Sequence, residues 1–127
     1  MKRCPPLGDP AALRALQDAL YVVGGKWKLP IVQSICNGNH RFRDIERSIP
    51  GITTRMLSKE LKELEMNGII SRTVHADIPV TVLYEPTDYS KVYGPIIMAM
   101  IEFGLVHQQK MKQALTGSPR PAIASVA

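Results

Sequence analysis

A chain of 127 residues favours one domain over two. With 45% hydrophobic residues and a mean hydropathy of -0.04 it reads as a soluble globular protein, and no apolar run approaches the ~18–20 residues of a membrane helix. The net charge of +5 suits a polyanionic partner without requiring one, and two cysteines, Cys4 and Cys36, are too few for a disulfide framework and lack metal-ligand spacing.

Residues 1–9 read as an irregular, flexible arm. Prolines stand where a signal peptide would carry its apolar stretch, so a cytoplasmic protein is expected. "DPAALRALQDALYVV" opens with Asp9 as N-cap and Pro10 at the first helical position. Leu13, Leu16, Leu20 and Val23 recur at helical spacing, and Gly24-Gly25 ends the helix. A second helix is predicted from near Lys26 to Cys36, with Pro30 tolerable only in or near its first turn. "NGN" is a turn, and "RFRDIERSI" a short helix with Phe42, Ile45 and Ile49 facing one way. "PGI" then leads tightly into "TTRMLSKELKELEMNG", a longer helix. After Gly68 the β-branched segments 69–76 and 80–86 predict an antiparallel hairpin around "DIP". Helix returns in "DYSKVYGPIIMAMIEFGLVHQQKMKQAL", and the Pro/Ser/Ala-rich residues 116–127 read as a disordered tail. The domain proper is thus 10–115. Its element order is that of a helix-turn-helix followed by a β wing.

The charge is unevenly placed. Residues 26–72 hold nine bases and five acids, four of the five net charges. On the longer helix, at about 100° per residue, Leu57, Leu61 and Leu64 form a buried stripe. Arg55, Ser58, Lys59 and Lys62 (i, i+3, i+4, i+7) fall on another face, from which Glu60, Glu63 and Glu65 are absent. Thr53 is a good N-cap and Thr54 follows it, leaving a helix end open to phosphate. A solvated amphipathic helix would carry such charges too, and Lys59–Glu63 fits an i, i+4 pair. The context favours a face aimed at DNA, because Arg, Lys, Ser and Thr supply donors for base edges and phosphates in the major groove. Arg41 and Arg43, bracketing Phe42, would reach phosphates. Arg72 and His75 flank the hairpin loop, near the minor groove or backbone.

These segments are quite specific together. "VVGGKWKLPIV", "NHRFRDIERSIPGITTRMLSKELKELEMNGIISRTVHADIPVTVLYEPT" and "YGPI" resemble the HxlR-type winged helix-turn-helix regulators of the MarR-like superfamily, over roughly residues 14–107. The resemblance implies an α+β, mainly α fold: a winged helix-turn-helix with N- and C-terminal dimerisation helices. It implies a homodimeric prokaryotic transcription factor on double-stranded DNA, acting as a repressor, with recognition helix 53–67 and wing 71–85. Many members carry a cysteine just before the first helix. Here Arg14 falls near that position and Cys4 lies further upstream, which argues against thiol sensing there. Cys36, near the end of the second helix, is expected to be buried and structural. Pro86 stands where the family has an apolar residue, so the second strand is expected to end early.

A dimer is also expected from the residues alone. Residues 92–106 are apolar nearly all round, and the first helix is similarly generous, so a small domain leaves apolar faces over. The predicted interface is Leu13, Leu16, Leu20, Ile97, Met100, Ile101 and Leu105. A twofold dimer calls for a roughly palindromic operator. Trp27, flanked by Lys26 and Lys28, is expected to pack between the first helices. The alternative for it is one wall of a small-molecule effector site. His40, His75 and His107 lie on different elements, so neither metal nor cofactor is expected. No Gly-rich phosphate loop, nucleophile elbow or carboxylate pair calls for an enzyme. The competing reading is a winged-helix protein–protein interaction module whose basic face binds an acidic partner.

Overall fold

The computed structural model describes residues 8–116, which fall into two compact units, one ending at Lys91 and one beginning at Val92. Cys4, most of the predicted arm and the tail after Thr116 lie outside the described residues.

The first unit opens with α1, Pro10–Val23. Asp9 caps it by accepting the Ala11 N–H at 2.9 Å, with Pro10 in the first turn as its spacing predicted. The helix stops at Gly24, the first of two glycines that let the backbone turn away. A Cβ on Gly24 would sit 2.1 Å from the Leu20 carbonyl oxygen, and Gly25 has φ +89°. α2, Lys28–Cys36, starts two residues later than predicted, which puts Pro30 third in the helix, where a missing N–H is harmless. α3 is Phe42–Ser48 and α4 is Thr54–Met66.

Ile31 and Ile35 of α2, Ile45 of α3, Leu57, Leu61 and Leu64 of α4, and Ile69 and Ile70 at the start of the hairpin are fully buried. This three-helix core closes around the predicted leucine stripe. Phe42 is only half-buried, contrary to its expected core position. A polar link accompanies the core: Ser34 and Ser48 share a 2.6 Å hydrogen bond, and the Asn39 amide donates to Ser34 Oγ at 3.2 Å. It ties α2 to α3.

The wing is β1, Ile70–His75, antiparallel to β2, Thr81–Pro86, in the register Ile70↔Pro86 to His75↔Thr81. β2 does not end early: Pro86 is its last paired residue. That position suits proline, since the strand end needs no further N–H. Thr87 closes the base, donating its hydroxyl to the Gly68 carbonyl at 2.6 Å. His40 fastens β2 to the approach to α3. Its carbonyl accepts the Tyr84 N–H at 2.8 Å, and its Nδ1 lies 2.9 Å from the Tyr84 carbonyl oxygen.

A 3-10 turn, Tyr89–Tyr93, leads to the second unit, whose helix α5 runs Gly94–Thr116. Ile97 is buried there, whereas Met98, Met100, Ile101, Phe103 and Leu105 are exposed. Phe103 and His107, one turn apart, stack with ring centroids 5.9 Å apart.

Candidate nucleic-acid interface

α4 presents its outer face because its inner face is committed to the leucine stripe. Arg55, Ser58, Lys59 and Lys62 are all exposed, as are Thr53 and Thr54. The Thr53 hydroxyl accepts the Met56 N–H at 3.1 Å, which leaves its proton available to donate. The Thr54 hydroxyl donates to Glu46 Oε2 at 2.5 Å, so it braces α4 against α3 and is open to a ligand only as an acceptor.

Two of the three acids of α4 are occupied elsewhere. Lys28, at the start of α2, places its Nζ 2.5 Å from Glu60 Oε1 and 2.7 Å from Glu63 Oε1. Burial disfavours the Lys28 ammonium, yet hydrogen bonds to Glu60 and Glu63 and their charges outweigh it and hold the group above its ordinary 10.5. The hydrogen bond from Lys28, then its charge, hold the Glu63 carboxyl below 4.5, with Lys59 adding to the effect. The i, i+4 pair Lys59–Glu63 that the sequence allowed is therefore replaced by a longer-range one. The cluster also changes the charge balance. With Lys28, Glu60 and Glu63 set aside, residues 26–72 retain eight bases against three acids. Lys28 belongs to the scaffold, not to the basic face.

Two concavities flank α4 and share Thr54. The larger, about 1160 Å³, follows Arg55, Ser58, Lys59 and Lys62 and has Tyr21 of α1 on its rim. The smaller, about 400 Å³, is bounded by Arg43, Glu46 and Arg47 of α3. Arg41 precedes α3 and is exposed. On the wing Arg72 and His75 are exposed, with Arg72 opposite Tyr84 and His75 opposite Thr81. The loop they flank ends in an apolar tip that the sequence reading did not single out: Ile78 is 99% exposed.

Residues 22–112 match the family described as HxlR-like helix-turn-helix. The chain belongs to that family. An uncharacterized HTH-type transcriptional regulator of Methanothermobacter thermautotrophicus is 39% identical over 101 residues, covering 80% of this chain and 77% of that one. The uncharacterized HTH-type transcriptional regulator YybR of Bacillus subtilis is 40% identical over 89 residues, covering 70% and 71%. Among solved structures, the redox regulator HypR in its reduced form superposes with a TM-score of 0.72 at 34% identity, over 78% of this chain and 98% of that one. The fold is that of the winged helix-turn-helix regulators, and the protein is a DNA-binding transcriptional regulator.

In this HxlR-like protein the other residues singled out from sequence are distributed as follows. Leu13, Leu16 and Leu20 of α1 are 45–60% exposed, and Met100, Ile101 and Leu105 of α5 are 45–61% exposed. Ile97 differs from them, being buried in the protomer itself. Trp27 is half-exposed, with the Lys26 ammonium 4.8 Å from its ring centroid and its far edge beside Gly51. Cys36 is exposed, not buried as expected: it is the last residue of α2, one turn beyond the buried Val32. Three residues with structural or rim positions escaped the sequence reading. Glu60 and Glu63 pair with Lys28 across 32 and 35 residues, a separation that no local pattern encodes. Tyr21 falls outside the apolar spacing of the first helix and is marked by no local pattern. No helix among the described residues is long and apolar enough to cross a membrane.

Proposed function

We propose that the protein is a homodimeric repressor that occupies a roughly palindromic operator and blocks transcription from it. Residues 53–67 enter the major groove, where Arg55, Ser58, Lys59 and Lys62 meet base edges and adjoining phosphates. Arg41 and Arg43 hold the backbone. The wing, 71–85, lies along the neighbouring backbone or minor groove through Arg72 and His75. The observation that carries this reading is the sorting of α4 by sign: its outer face offers bases and a serine, while Glu60 and Glu63 are drawn away to Lys28.

Exposed apolar side chains support the dimer. Leu13, Leu16 and Leu20 on α1, and Met100, Ile101 and Leu105 on α5, form faces that water disfavours and that a second copy would cover. Hydroxyl-radical footprinting on the selected operator tests the scheme. It should give two protected half-sites about one helical turn apart, with two chains per duplex by sedimentation. A single protected half-site holding one chain would overturn it.

A further inference from the structure

α4 is flanked on both sides. On one side α3 raises Arg43 and Arg47 around a concavity that also reaches Thr54. On the other, across the larger concavity and the basic side chains, stands Tyr21 near the end of α1. A helix seated in the major groove lies between two sugar-phosphate strands, so elements rising on opposite sides of it meet different strands. The α3 side supplies cations for one strand. The side chain that α1 extends toward the other is a neutral phenol.

Tyr21 is 85% exposed, far more than a ring with a structural task would be. It does not belong to the apolar stripe of α1. At about 100° per residue, Leu13, Leu16 and Leu20 cluster together and Tyr21 lies roughly 100° from the centre of that cluster. A second copy covering the leucines would leave the phenol beside the basic face of α4. A phenolic O–H is a hydrogen-bond donor, and neutral donors of this kind commonly contact phosphate oxygens and set register.

On the reading that α4 enters the major groove, we propose that Tyr21 donates a hydrogen bond to a phosphodiester of the strand opposite the one met by Arg43 and Arg47. It thereby fixes how deeply and in which register α4 sits. Arg43 and Arg47 act through charge and counterion release, whereas Tyr21 acts through a directed bond that releases no counterion.

The test compares the full chain with its Tyr21→Phe and Arg43→Ala variants on the operator duplex selected by the wild type. Affinity is measured across a salt series, with phosphate-ethylation interference on each strand. Tyr21→Phe keeps the ring, and a thermal melt matching wild type verifies the fold. The expected result is about 3–10-fold weaker binding at every salt concentration with the wild-type salt slope. One ethylation-sensitive phosphate per half-site should be lost, on the strand opposite the one lost in Arg43→Ala. Wild-type affinity of Tyr21→Phe, or loss of the phosphate on the same strand as Arg43→Ala, overturns the inference and leaves the DNA reading standing. Absence of any operator preference in the wild type overturns both.

Discussion

Replacing Lys28 with methionine isolates the device that orients α4. Methionine keeps an unbranched apolar stem of similar length but removes the ammonium that bridges Glu60 and Glu63 at 2.5 and 2.7 Å. Removing one partner of a fully buried ion pair costs about 3–5 kcal/mol, because the other charge is left without compensation. The side chains of Lys28 and Glu60 are only 10% and 16% exposed, but that of Glu63 is 41% exposed, so water takes over for Glu63. Discounting accordingly, the expected loss is about 1.5–3 kcal/mol, most of it from the stranded Glu60. The pH dependence follows from the two shifts. Glu63 is held below 4.5, so its share of stability is present above that pH and disappears as pH falls through the lowered folded value. Lys28 is held above 10.5, so its share is complete below 10.5 and is lost only as pH rises through the raised value. Urea melts at fixed protein concentration should therefore show wild type and variant far apart at pH 7, with the gap narrowing by the Glu63 share as pH falls below 4.5. Adding Glu60→Gln and Glu63→Gln to Lys28→Met should restore most of the stability. A difference under about 0.5 kcal/mol at pH 7, or one that does not change with acid, would refute the reasoning.

Other expectations concern the face, the turn and the partner copy. Arg55→Ala should cost about 1–3 kcal/mol on the operator and relax base preference at one position, read by competition with singly substituted duplexes. Arg43→Ala should weaken operator and random DNA alike and reduce the salt slope by about one. Gly24→Ala would drive a Cβ to 2.1 Å from the Leu20 carbonyl oxygen, so thermal melts should show destabilisation of at least about 2 kcal/mol. Leu16→Glu, which places a charge on the exposed apolar face of α1, should shift sedimentation from dimer to monomer while leaving far-UV circular dichroism of the monomer intact.

What the sequence disclosed was local and periodic. Asp9, Pro10 and the leucines predicted α1, and Thr53 with the Leu57, Leu61 and Leu64 stripe predicted α4 and its two faces, because capping and a 3.6-residue period are written in adjacent residues. The hairpin was visible to within a residue at each of its four ends for the same reason. What remained hidden depended on tertiary distance or direction. Lys28 looked like part of the basic excess until α2 was brought against α4. Cys36 carried the burial tendency of its residue type, but its position at the end of α2 turned it outward. Pro86 suggested a shortened strand, yet a two-stranded wing gives its missing N–H nothing to leave unpaired. His40 gave no metal-binding pattern, and its use as a brace for Tyr84 needed the strand to be in place.

The outer face of α4 is proposed to read a DNA sequence. The most direct test is the affinity of the purified full chain for duplexes from the intergenic DNA beside its gene, against random duplex, across a salt series. A site bound about 10³-fold or more tightly than random DNA is expected, with steep salt dependence and two chains per site. Equal and weak binding to every duplex would contradict it, and would point instead to an acidic protein as the partner of the basic face.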